Sequence, residues 1–253
     1  MLRSEFELLL DKTLSPNRFK DYAPNGLQVE GKKDINRVVT GVTACQALID
    51  AAIEYRADAI VVHHGYFWKN EDPRVVGMKY RRLAALIKND INLYGYHLPL
   101  DAHPTLGNNA GLGDALGLVD REALQTGVPI EEGIGIVGSL LAPIAKADFY
   151  RLVTAAVNRE VLFECVNEAD IQRVALCTGG AQGYIEQAVS AGADVFITGE
   201  VSEQTIHIAR ELGIHFVAAG HHATERFGVK SIAKFLSEQH GLDAVFIDVD
   251  NPA

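Results

Sequence analysis

Only three of the 253 residues are cysteine (Cys45, Cys165 and Cys177), an odd number with no CxxC pair among them. That usage excludes a zinc-finger or a disulfide-stapled scaffold. Basic residues are also in the minority: 23 Lys and Arg stand against 33 Asp and Glu, for a formal charge of −10. Such a balance lacks the electrostatic footprint of a nucleic-acid binder and leaves only local patches, Lys32-Lys33 and Lys79–Arg82, for that role. Long apolar runs are missing too. The opening MLRSEFELLLDKTL mixes charged and apolar residues where a signal peptide needs an unbroken apolar core. No stretch approaches the roughly 18 apolar residues needed to span a bilayer. A cytoplasmic protein without membrane contact is the expectation. The length fits one large or two modest domains, and 48% hydrophobic with 22% charged residues is ordinary globular composition.

What the chain does have is histidine. Six of its nine histidines fall into three groups: His63-His64, His97 with His103, and His221-His222. It also has an internal repeat. Residues 37–64, RVVTGVTACQALIDAAIEYRADAIVVHH, align without a gap on residues 173–200, RVALCTGGAQGYIEQAVSAGADVFITGE. Arg37/Arg173, Val38/Val174, Gln46/Gln182, Ile49/Ile185, Ala52/Ala188, Ala57/Ala193 and Asp58/Asp194 are identical pairs. Each copy reads as strand, amphipathic helix, strand, and the continuous apolar runs fit parallel strands buried on both faces. A further helix follows in each half, around Tyr80–Lys88 and Glu203–Glu211, and then a third strand, INLYGY or IHFVAAG. The first ends in His97 and Asp101, the second in His221 and Glu225, each a histidine with a carboxylate four residues on.

The expected fold is therefore α/β: two similar domains, each a central sheet flanked by helices, with the site in the cleft between them. Residues 1–125 form the first half and 126–253 the second. A segment of about 126–170 belongs to neither repeat and serves as sheet extension or insertion.

In open α/β sheets ligands collect beyond the carboxyl ends of the strands. His63-His64, His97 with Asp101, and His221 with Glu225 all sit at such ends. Successive side chains of a strand point to opposite faces. Adjacent histidines therefore serve two ions, or a bend turns both inward, and Gly65 makes a bend inexpensive. Imidazole and carboxylate without thiolate suit zinc, manganese, iron or another divalent ion. Taken one by one, such histidines are as well explained as helix caps or satisfied loop residues; three groups at three strand ends favour a metal site. His97 reads as a ligand, a supporting residue or an acid/base group. His103 and His222 read as surface loop residues, Asp58 and Asp194 as residues that cap or terminate helices, Glu200 as a cleft residue and Cys177 as a small buried one. Gly179-Gly180, between a strand and a helix, offers a weak phosphate-cradle signal.

The segments VVHHGYFW, YGYHLPLDAH, ADVFITGE and AAGHHATERFG resemble the GTP cyclohydrolase I type 2 family, also described as NGG-interacting-factor-like dinuclear metal proteins, over essentially the whole chain. The resemblance implies two metal ions held by His63, His64, Asp101, His221 and Glu225, with Glu225 bridging. It also implies a toroidal homohexamer, a trimer of dimers, and a metal-dependent hydrolase acting on a nucleotide or related heterocycle. His97 would then move protons. The competing expectation is a non-catalytic, metal-binding toroidal scaffold or DNA-associated protein.

Overall fold

The computed structural model describes residues 1–253. The first half opens with helix α1 (Arg3–Leu14) and strand β1 (Gly26–Val29). It then alternates β2 (Arg37–Thr43), α2 (Gln46–Glu54), β3 (Ala59–His64), α3 (Gly77–Lys88) and β4 (Asn92–Gly95). Two short helices, α4 (Leu98–Ala102) and α5 (Asn108–Ala115), lead to β5 (Val119–Ala123) and β6 (Ile136–Ile144). The plan then recurs as α6 (Lys146–Val157), β7 (Leu162–Glu164), β8 (Ile171–Cys177), α7 (Ile185–Ser190), β9 (Val195–Thr198), α8 (Glu203–Leu212) and β10 (His215–Ala218). The chain closes with α9 (His221–Thr224), α10 (Arg226–His240) and β11 (Asp243–Phe246). No helix is long and apolar enough to cross a membrane.

The repeat is exact in the ladders. Val38 pairs with Ala59 as Val174 pairs with Val195, at the same spacing. β2-β3-β4 and β8-β9-β10 are both parallel, and all four residues of β9 and the first five of β3 are buried. Burial on both faces is why these strands read as unbroken apolar runs. One hydrogen-bond device is also copied. The Asp58 carboxylate accepts the N–H groups of Asn36 and Arg37, each at 3.0 Å. Asp194 accepts those of Gln172 and Arg173, at 2.9 and 2.7 Å. The two aspartates therefore pin the start of the neighbouring strand and do not cap helices as expected.

Burial pushes the Asp58 carboxyl up, but the Lys32 ammonium and the two backbone N–H groups outweigh it and hold it below its ordinary value. Its contribution to stability is thus present above the unfolded carboxylate range and is lost as pH falls through the lowered folded value. Asp58→Ala is expected to cost about 1–3 kcal/mol by stranding these donors. Thermal melts at neutral pH would show it, and the gap to wild type should narrow in acid.

The repeat reaches further than the sequence indicated. β1 pairs antiparallel with β4, and β7 pairs antiparallel with β10. α6 and β7, placed in the non-repeat segment, are thus the counterparts of α1 and β1. Only β6, antiparallel to β8, matches the expected sheet extension.

Contacts divide the chain into two compact units. Unit 1 comprises Met1–Leu100 with Gly228–Asp250, and its sheet runs β1-β4-β3-β2-β11. Val39, Leu48, Ile60 and Leu93 lie in its core. Unit 2 comprises Asp101–Phe227 with Asn251–Ala253, and its sheet runs β5-β6-β8-β9-β10-β7. One face of that sheet packs Val174, Ile197 and Phe149, the other Ala175, Phe196 and Phe216. A single cut near residue 125 does not describe this chain. Each repeat sends its last helix and strand, α5-β5 or α10-β11, into the other repeat's unit, and β11 joins unit 1 beside β2 in parallel.

Candidate metal centre

Unit 1 gathers three imidazoles. His63 and His64 close β3, and His97 follows β4 by two residues. Their ring nitrogens lie within 4.8 Å of one another. The His63 and His64 rings are 4.5 Å apart, so the two consecutive side chains converge instead of alternating. Each imidazole is held from behind at Nδ1. His63 Nδ1 lies 3.1 Å from the Tyr96 carbonyl, His64 Nδ1 lies 3.3 Å from the Thr43 hydroxyl, and His97 Nδ1 lies 2.7 Å from Asp21 Oδ1. A carbonyl and a carboxylate only accept, so His63 and His97 carry their proton on Nδ1 and present Nε2. Burial pushes the Asp21 carboxyl up, but hydrogen bonds from His97 and Asn25 and the His97 charge outweigh it and bring it to about 2.

Gly65 serves the site by close approach. Its φ is not in the left-handed region. A Cβ there would meet Gln28 Oε1 at 2.2 Å, and that same oxygen accepts the Tyr66 N–H at 2.7 Å. Trp68 completes the surroundings. Its Nε1–H donates to the Gly65 carbonyl, and its ring stands 4.9 Å from His97 and 5.8 Å from His64.

Unit 2 gathers two carboxylates and one imidazole. Oxygens of Asp101 and Glu225, both buried, come within 4.8 Å of each other. Asp101 Oδ1 accepts from Asn108 Nδ2 at 2.9 Å and from the Thr178 hydroxyl at 3.2 Å. His221 stands between two acids, with Nδ1 2.7 Å from Glu200 Oε1 and Nε2 3.1 Å from Glu225 Oε1. Burial pushes the His221 imidazolium down, but Glu225 and Glu200 outweigh it and raise it to about 9. Its proton is the charge that compensates the acids. Glu200 thus orients a proposed ligand.

Several expectations change here. Gly179, at φ +72°, gives its N–H to the Thr224 hydroxyl, and a Cβ on it would lie 2.2 Å from Glu225 Oε1. The Glu200 carboxylate comes within 3.4 Å of the Cβ position of Gly180. A turn lined by two acids repels phosphate, so the cradle reading falls. His97 and His221 are one residue out of register as well. The β4 and β10 ladders equate Asn92 with His215, which sets His97 opposite Gly220. Cys177 is fully buried, and burial with the nearby Asp101 and Glu225 charges pushes its thiol well up, as befits an inert core residue. The sequence gives no sign of the supporting roles of Asp21, Gln28 and Thr43. The Asn108-Asn109 pair was the one visible signal, since two amides at a helix start that the structure buries need internal partners.

The donors fit a divalent metal. They are imidazole nitrogens and carboxylate oxygens, no thiolate is among them, and the imidazoles of His63, His97 and His221 are each oriented at Nδ1 by an acceptor, as metal-bound histidines commonly are.

A family profile described as Duf34/NIF3 (NGG1p interacting factor 3) matches residues 1–252. A Haemophilus influenzae protein named "GTP cyclohydrolase 1 type 2 homolog" is 54% identical over 254 residues, covering 98% of both chains. Among solved structures, "protein ybgI, unknown function" superposes at a TM-score of 0.95, with 50% identity and full coverage of both chains. TTHA1606 from Thermus thermophilus superposes at 0.88, with 35% identity over 100% of this chain and 99% of its own.

Proposed function

Because the chain belongs to the Duf34/NIF3 family, we propose that it is a metal-dependent hydrolase in which His63, His64, Asp101, His221 and Glu225 together hold two divalent ions. The observation that carries this reading is the set of three imidazoles in unit 1 whose nitrogens crowd within 4.8 Å of one another. Basic groups so close serve a cation better than they serve packing: His63 and His64 would hold it, and His97 would stand beside them as a base. Connectivity supports a joint role for the two donor sets. The chain leaves unit 1 at Leu100, between His97 and Asp101, and leaves unit 2 again at Phe227, two residues past Glu225.

When bound, the ions would supply water that is acidic enough to ionise near neutral pH. The chain's own residues do the rest. Asn108 and Thr178 fix Asp101, and Glu200 turns His221 Nε2 toward Glu225. His97, with Nδ1 committed to Asp21, offers Nε2 as the proton acceptor. The substrate is a small molecule, a nucleotide or related heterocycle, in keeping with the cyclohydrolase name carried by the relatives. Assembly as a toroidal homohexamer, a trimer of dimers in the cytoplasm, belongs to the same proposal and stands on the family resemblance alone.

The test is a panel of nucleotides, pterins and phosphoesters offered to metal-reconstituted protein alongside Asp101→Ala and Glu225→Ala. Turnover of one compound class is expected, falling on the order of 100-fold or more in both variants. Activity that survives both substitutions would come from elsewhere. Metal-replete protein inert toward the whole panel would favour the scaffold reading.

A further inference from the structure

Among the groups around the candidate centre, Asp21 is the acid that stands behind the proposed proton acceptor. It lies on the segment between α1 and β1, 76 residues before His97, and its side chain is 3% exposed. Every partner of its carboxylate is a donor. Oδ1 accepts the Tyr22 N–H at 2.6 Å and faces His97 Nδ1 at 2.7 Å. Oδ2 accepts the Leu98 N–H and the Asn25 side-chain amide, both at 2.9 Å. Asn25 closes the ring by accepting the His97 N–H at 2.8 Å. The imidazole is therefore gripped at its backbone, at the next residue's backbone and at its rear nitrogen. At Nδ1, His63 faces a backbone carbonyl and His64 a hydroxyl, whereas His97 faces a carboxylate.

We propose that Asp21 is a positioning residue for His97, fixing the neutral imidazole as the Nδ1–H tautomer so that bare Nε2 faces the His63–His64 side. This rests on His97 being the proton-moving group. A proton taken up at Nε2 then leaves an imidazolium whose Nδ1–H stays on Asp21. The carboxylate receives no proton, and nothing else must move. A merely structural Asp21 would anchor the 19–25 segment on the turn after β4 and leave the tautomer to chance.

Long-range 1H–15N correlation spectra of 15N-histidine-labelled protein, recorded without metal at a pH where the imidazoles are neutral, separate the two. His97→Gln identifies the His97 signals by their loss. Wild type is expected to show His97 wholly as Nδ1–H. In Asp21→Ala most of the population should pass to Nε2–H, the form neutral imidazole prefers in water, and Asp21→Glu should restore Nδ1–H. Unchanged spectra for His207 and His240 report an intact fold. If Asp21→Ala does not fold, Asp21→Asn, which keeps the shape and can donate to Nδ1, takes its place with the same expected passage to Nε2–H. An Nε2–H tautomer in wild type, or wild-type Nδ1–H in a folded Asp21→Ala, overturns the proposal. Neither metal nor turnover enters the measurement. A protein that shows the expected tautomers but hydrolyses nothing in the panel would therefore lose the hydrolase reading and keep the role of Asp21.

Discussion

Gly199→Ala is expected to weaken metal binding without replacing any proposed ligand. Gly199 is the repeat counterpart of His63, and the chain leading from β10 into α9 lies directly on it. A Cβ at Gly199 would meet His221 Cα at 2.6 Å, the Gly179 carbonyl at 2.7 Å and the His221 nitrogen at 2.9 Å. All three are backbone atoms, so relief requires the chain to move, and His221 must move with it. His221 holds both Glu200 and Glu225 at hydrogen-bond distance, so a shift of its backbone breaks the set. Overpacking of this kind costs about 1–3 kcal/mol. Misplacing a ligand costs roughly 10–100-fold in metal affinity, by analogy with losing its support. Metal per chain after dialysis against a weak chelator, with a thermal melt beside it, reads both effects. Gly183→Ala is the control, since nothing lies within 4 Å of its added Cβ. Wild-type metal content in folded Gly199→Ala would show that His221 does not hold the ion. The same contact explains an asymmetry in the repeats. Where one repeat has room for His63, the other has backbone, and only glycine fits.

The second large effect is optical. Trp68 is the only tryptophan in the chain. Its indole is fixed by the Gly65 carbonyl and stands within 6 Å of the His64 and His97 rings. Paramagnetic cobalt or copper bound at the imidazole cluster is expected to abolish most of its emission, reversibly with a chelator. The double variant His63→Ala/His64→Ala should keep that emission through the same titration. Quenching of equal depth and midpoint in the double variant would mean that the metal binds elsewhere.

The repeat, the parallel strands and the strand ends that carry the clustered histidines were legible because each leaves a local trace. Strands buried on both faces are continuously apolar, and a histidine closing such a run stands out against it. The counterpart of α1-β1 was hidden because β7 is three partly exposed residues on a sheet edge, whose composition is free to drift. The exchange of α10 and β11 was hidden for another reason. The amphipathic face of α10 announces burial but not which sheet will cover it. Asp21 and Gly199 act through contacts across 76 and 22 residues of chain, and neither is marked by its sequence neighbours. His97 and His221 looked equivalent because each precedes a carboxylate by four residues. The ladders show that an extra residue, Gly220, enters the second copy.

The placement of β11 also sets an order of synthesis. The first residues of unit 1 emerge early, yet β2 acquires its outer neighbour only when Asp243–Phe246 have been made. Until then Arg37–Thr40 carry an unpaired strand edge, the kind of surface that recruits other chains. Unit 2 has all its strands by Ala218, ahead of unit 1. On the ribosome the sheet that begins first is thus completed last. A chain stalled or cut near its middle would release a sheet with one open side and nothing of its own to close it.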